Sequence, residues 1–443
     1  LDDNIGGIRV ETDLGSKVDY FDFWMLDNGR WCQCERCSNP DNGNLSYKLL
    51  MLVYNIDKRI KEAKKQGRIK RPIKILFPAY HETLPAPNKP LPKDFDFNNC
   101  IVTYFPIERC YVHNINDENC TETNKWLLDR YLPWVNGCDR NYKGDVFIGE
   151  YYNVSSFAAM PFILSERISN DIPYYYNSGT RHFYYMHMTS GKWGMLTLNN
   201  WLYAKLLWNP QESCEKLKEK YFSSYYSNVS LKMKKFYELL EEATANCKYL
   251  KHYQIVNGRI ISLFSKLKNI PLSENENVFE YLFPLEHMQY NLEILSSHET
   301  KGCNMQNAGQ DTTQNNNSFN RGISLLETIE LIQKCRILIN EIMFEVNGQK
   351  QIEERILEDD MRFSYGECMI QFIYYMVRTV IFKNSDRIIF AKASFAKAKL
   401  YAEKLRHMEE PVSGYIYGNE FKNGLTASWI EKAYIDFTAW FET

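Results

Sequence analysis

Three acidic residues stand where short apolar runs break into polar loops: Asp27, Glu108 and Glu150. A buried strand that ends in a carboxylate and opens into a loop is the layout of the working edge of a β/α barrel. Two carboxyls so placed can divide labour. One stays protonated and donates, while the other, ionised, acts as base or nucleophile. Asp27 is the first candidate, because residues 18–26 form an aromatic, β-rich run that breaks at the turn signal Asp27-Asn28-Gly29. Glu150 is the second. Glu108 competes with it, and the adjacent Arg109 would hold it ionised, which suits a base or orienting group better than an acid. The alternative for each is a rim carboxylate that caps a helix or pairs with an arginine.

The residues around these ends are equally suggestive. Tyr80-His81, Tyr151 and His187 close other apolar runs, and Trp193 sits in a glycine-bearing loop. Tyrosine and histidine can hydrogen-bond hydroxyls or an amide carbonyl, and a tryptophan can wall a ring. Trp24, Asn28, Trp31, Arg109 and His113 complete the candidate binding set. Ordinary packing competes for every one of them. Immediately after Trp31 come Cys32, Cys34 and Cys37 in a C-x-C-x-x-C spacing. A disulfide such as Cys34–Cys37 would make them a structural loop clamp, the first reading. Zinc is the second, with Cys110, Cys120 or His113 as fourth ligand. A cysteine nucleophile is the last, since it needs a histidine beside it. Cys110 and Cys120 are read as structural.

These residues must be positioned by regular elements. Strand-like runs near residues 18–26, 73–77, 101–105, 145–148 and 183–188 alternate with helical patterns at 46–66, from about 121 to 131, at 161–176 and at 198–207. Alternation of this kind predicts parallel β/α units. Five strands do not close an eight-stranded barrel. The expected fold is therefore the C-terminal half of a (β/α)8 TIM barrel, strands four to eight, with the earlier strands ahead of Leu1. Residues 1–210 form this half-barrel, 211–297 a helical extension, 298–321 a polar Asn/Gln/Ser/Thr-rich linker, and 322–443 an α-helical domain.

Composition narrows the function. The 53 basic residues are balanced by 55 acidic ones, which argues against a nucleic-acid binder relying on overall positive charge. The basic run 58–71 reads as the solvated face of a helix. No apolar stretch reaches the length of a membrane span. With 31 tyrosines among 15% aromatics, the chain is rich in flat surfaces with polar tips. Such surfaces suit sugars, although most of these rings are expected to fill the core and its rim. Twelve cysteines in 443 residues are too few for a disulfide scaffold.

Four ordered blocks carry a resemblance. Phe21-Asp22-Phe23-Trp24 running into Asp27 and Trp31-Cys32-Gln33-Cys34-Glu35-Arg36-Cys37 is the first. Arg109-Cys110-Tyr111-Val112-His113 with Cys120, Glu150-Tyr151-Tyr152, and Leu202-Tyr203-Ala204-Lys205-Leu206-Leu207-Trp208-Asn209-Pro210 follow. Together, over about residues 18–242, they resemble the bacterial domain of unknown function 4838 family. The segment from Glu358 to Phe363 is a weaker landmark. The resemblance implies a glycoside hydrolase-like barrel, akin to glycoside hydrolase family 163. It further implies endo-β-N-acetylglucosaminidase-type cleavage of complex N-glycan antennae and a periplasmic or cell-surface location. The partner would be a glycan, with no cofactor. Glycosidases use two carboxyls, or one with assistance from the substrate's acetamido group, and Asp27 and Glu150 lead. A non-catalytic glycan-binding protein on the same barrel is the alternative, and a zinc-dependent hydrolase ranks third.

Overall fold

A computed structural model describes residues 20–24, 31–70, 72–107, 109–118, 120–136, 140–153, 160–187, 193–245, 325–384, 386–408 and 425–443. The described chain gathers into two compact units. The first holds residues up to Arg109, Ile115–Tyr151 and Asn170–Met186. The second holds Cys110–Asn114, Tyr152–Ser169 and the chain from His187 onward. The expected linker, 298–321, lies outside the described residues, as does the adjoining chain from 246 to 324.

Five strands form one sheet in sequence order: β1 (Tyr20–Asp22), β2 (Lys74–Ala79), β3 (Cys100–Tyr104), β4 (Val146–Asn153) and β5 (His182–His187). Pairing is parallel from β1 through β4, with Asp22 opposite Leu76, Leu76 opposite Ile101, and Val102 opposite Val146. The short helix α1 (Glu35–Ser38) and then α2 (Leu45–Lys65) return the chain from β1 to β2. Helix α3 (Trp126–Val135) leads to β4 and α4 (Ser165–Ser178) to β5. The result is a curled, parallel, five-stranded half-barrel. Between β2 and β3 a proline-rich loop replaces the helix, since Pro85, Pro87, Pro90 and Pro92 remove the backbone donors a helix needs.

Successive side chains of a strand point to opposite faces, and here the two faces differ sharply. Ile75, Phe77 and Ala79, Cys100, Val102 and Tyr104, and Val146 and Ile148 pack with Leu49, Leu50, Val53, Ile56 and Ile60 of α2 and with Tyr131 and Trp134 of α3. Tyr104 and Trp134 place their polar tips on backbone carbonyls in this core. The Tyr104 hydroxyl donates to the Leu127 carbonyl at 2.7 Å, and Trp134 Nε1 donates to the Leu84 carbonyl at 2.8 Å. On the concave face Leu76, Ile101 and Phe147 form a small buried apolar cluster. Helix α2 starts one residue before the expected Ser46. Asn44 is its cap, accepting the Tyr47 N–H at 2.9 Å, while the Ser46 hydroxyl is used elsewhere, donating to the Thr83 carbonyl.

In the second unit α5 (Leu196–Trp208), α6 (Cys214–Tyr226), α7 (Ser230–Ala243), α8 (Leu325–Glu345), α9 (Lys350–Asn384), α10 (Ile388–His407) and α11 (Leu425–Glu442) follow one another. Helix α9 packs along α10, and α7 along α8. Asp359 is buried among them, accepting the hydroxyls of Tyr226 at 2.5 Å and Tyr237 at 3.0 Å. Desolvation outweighs those hydrogen bonds and the nearby charge of Arg362, and lifts the carboxyl to about 7. Among the described residues, no helix is long and apolar enough to cross a membrane.

Candidate functional site on the concave face

The alternation of β1 decides which residues reach the mouth of the half-barrel. Phe21 and Phe23 lean on the helix-side core. Tyr20, Asp22 and Trp24, between and beyond them, therefore face the concave side. Trp24 packs edge-on against Phe105, with ring centroids 4.9 Å apart, and lies 5.6 Å from Tyr80. Phe105 also meets Tyr80, Tyr151 and Tyr184 at 6.1, 6.0 and 5.7 Å. One central ring thus gathers aromatics from β4 and β5 and from just past the ends of β1 and β2. Gly149 makes room for it: a Cβ there would stand 2.0 Å from the Phe105 ring.

Asp22 is the carboxyl of this face. Solvent reaches it, yet the surrounding protein removes enough water to raise its pKa above the ordinary carboxylate value. Burial, and secondarily the charge of Asp22, raises the Tyr184 hydroxyl in turn, which places the two groups within electrostatic reach. The carboxyl of Asp22, raised by partial burial, thus shares the concave face with the Trp24, Tyr80, Phe105 and Tyr184 rings.

At the end of β2 the backbone turns abruptly. His81 adopts a left-handed conformation (φ 48°), a position that disfavours any side chain with a Cβ. The turn is pinned by the Thr83 N–H donating to the Tyr80 carbonyl and by the Tyr80 N–H donating to Thr83 Oγ1, both at 3.0 Å. Its outcome is a contact between the Tyr80 and His81 rings, with centroids 3.8 Å apart. Local strain of this kind, held by its surroundings, gathers at functional sites.

The other expected residues are distributed differently. Glu150 lies on the helix side of β4 and is fully enclosed. Arg109 Nη1 contacts its Oε1 at 2.7 Å and Asp171 Oδ2 at 2.8 Å, and the Tyr175 hydroxyl donates to Oε1 at 2.8 Å. All three charged groups are 0% exposed, so Glu150 and Arg109 form a buried ion network rather than a lining of the mouth. The physical reason is parity: Gly149 and Tyr151 take the concave positions and Glu150 the opposite one. Trp31 packs on the helix-side core. His113 and Trp193 belong to the second unit, where His113 Nδ1 lies 3.3 Å from Cys110 Sγ. Cys120, in the first unit, contacts the Thr123 hydroxyl at 2.9 Å. Strand β5 ends at His187. Asp27, Asn28 and Glu108 lie outside the described residues. The structure thus brings together Trp24, Tyr80, His81 and Tyr151, and adds Asp22, Phe105 and Tyr184. The signal for Asp22 was present in the alternation Phe21-Asp22-Phe23.

Cys32, Cys34 and Cys37 converge, with sulfur atoms all within 4.8 Å of one another. The Cys34 thiol is held below its ordinary value, chiefly by the Cys37 N–H, whereas Cys37 is pushed up by sharing its hydrogen bonds with Cys34 and Cys32.

The sequence pattern of the family described as domain of unknown function (DUF4838) matches residues 6–238, more than half of the chain. No curated protein matches it. Among solved structures, one described as a GH138 enzyme targeting pectin rhamnogalacturonan II aligns with 86% of the chain, at 12% identity and a TM-score of 0.40. The chain spans 57% of that structure's length.

Proposed function

The chain belongs to the DUF4838 family, and from that premise we propose that it is the glycan-cleaving half-barrel of a glycoside hydrolase. Its five strands correspond to numbers four to eight of the barrel. The observation that carries the reading is Asp22, a carboxyl with raised pKa on a concave face walled by Trp24, Tyr80, Phe105 and Tyr184. Protonated Asp22 donates to the leaving oxygen of a glycosidic bond. Asp27, which the sequence places in the following loop, supplies the second carboxyl or orients an acetamido group that attacks from within the substrate. The ring faces pack on the C–H patches of a sugar, and the tyrosine and histidine tips bond its hydroxyls. The substrates we assign are β-N-acetylglucosaminides, above all complex N-glycan antennae cut internally, at a periplasmic or cell-surface location.

A second reading, a glycan-binding protein without turnover, is favoured by one observation. Glu150 is sealed behind the sheet, and Asp22 is the carboxyl that the described part of this face presents. The deciding experiment is hydrolysis and binding of an N-glycan and β-N-acetylglucosaminide panel by the unmodified chain and by Asp22→Asn and Asp27→Asn. Turnover lost with binding retained supports the hydrolase. Binding without turnover in the unmodified chain supports the second reading, and neither binding nor turnover overturns both.

A further inference from the structure

We propose that Cys32, Cys34 and Cys37 form a zinc site: three thiolates on one cation, with the fourth position open to water or to a group from outside the triad. The inference is independent of the glycosidase reading. Its basis is convergence. Three sulfur atoms from a six-residue loop all lie within 4.8 Å of one another. Tetrahedral zinc with bonds of about 2.3 Å sets its sulfurs about 3.8 Å apart, so a small inward movement closes the set. A single disulfide would use two of these sulfurs and leave the third beside it without a role, whereas a cation uses all three.

The backbone around the triad is already fixed. Cys34 immediately precedes α1 and shares a C-x-x-C turn with Cys37. The Arg36 carbonyl accepts from Asn42 Nδ2 at 2.8 Å, the Cys34 carbonyl accepts the Ser38 N–H at 2.8 Å, and Lys48 Nζ of α2 donates to the Cys37 carbonyl. Trp31, packed on the helix-side core, anchors the entry to the loop. On binding, the three thiols release their protons and the cation takes a lone pair from each sulfur. The product is a clamp on the connection between β1 and α2. The exposure of Cys32 and Cys34 leaves the fourth position accessible.

The test uses the full chain. Elemental analysis after purification under reducing conditions reads zinc content. Replacement by Co2+ reads the number of sulfur ligands from the sulfur-to-cobalt charge-transfer band, without any mutation. The expected result is about one zinc per chain and a band of three-thiolate intensity. Cys32→Ser and Cys34→Ser then weaken metal binding by at least 10–100-fold, roughly the loss that even outer-shell changes produce, and Glu35→Gln leaves it unchanged. The proposal is overturned by a reduced, folded chain that takes up no zinc or cobalt. Full affinity in the triple serine variant overturns it too, as does mass-spectrometric recovery of a Cys34–Cys37 disulfide from a chain that remains metal-free after reduction.

Discussion

Asp22 and Glu150 are the same kind of group at the same end of one sheet, and their surroundings make them opposites. Glu150 is completely buried, yet compensated: an arginine, a tyrosine and the amide of Tyr151 bond its two oxygens. Asp22 is open to solvent on the concave side and partly desolvated, and burial alone is enough to raise its pKa. Burial with compensation builds structure, whereas partial burial without it raises a carboxyl's pKa. Asp359 is the intermediate case. It is as buried as Glu150, but phenols hold it and no described salt bridge reaches it, and it titrates near 7.

The comparison breaks most directly at Asp22. Asp22→Asn is expected to lower kcat on a cleaved glycan about 10²–10⁴-fold, the usual contribution of a positioned acid. Its melting temperature should stay within a few degrees of the unmodified chain. A variant that turns over normally would remove Asp22 from the chemistry. At Arg109 the pattern reverses. Arg109→Met strands two carboxylates in the core and should cost about 3–5 kcal/mol in denaturant unfolding. A loss below about 1 kcal/mol would show that the network is weak. Asp359 sharpens the intermediate case through pH. Its folded value lies above its ordinary 3.8, so the folded chain keeps a proton that the unfolded chain releases. Stability from this group is therefore complete below about 4 and is lost as pH rises towards about 7, and Asp359→Asn flattens that window in urea titrations. Gly149→Ala gives the smallest effect. Its methyl meets the Phe105 ring, which should cost about 1–3 kcal/mol and raise KM more than it lowers kcat.

How legible this was in the sequence depended on the range of the interaction. The strand and helix succession follows from local periodicity and was readable, as were Tyr80, His81 and Tyr151 at strand ends. Choosing the carboxyl required the parity of each strand, not only its end. Asp22, flanked by Phe21 and Phe23, satisfies parity, whereas Glu150 ends a strand on the helix side. The enclosure of Glu150 depends on Asp171 and Tyr175, which lie 21 and 25 residues further on and belong to α4. No spacing rule in the sequence links them to Arg109. Phe105 is hidden in the sequence for a related reason: its importance lies in its contacts with Trp24, Tyr80, Tyr151 and Tyr184, not in its own residue type.

The glycine beneath Phe105 has a consequence for how such a mouth can change. The floor is shaped by an absence, since the space a side chain at 149 would fill is occupied by the ring from 105. The two positions share one volume. Enlarging residue 149 while shrinking residue 105 would keep that volume filled and shift the wall sideways, so a paired exchange could redraw the contour at a lower cost than either single substitution. Substrate preference in relatives with the same curl is then expected to vary with these two residues together, as a compensated pair rather than as independent sites.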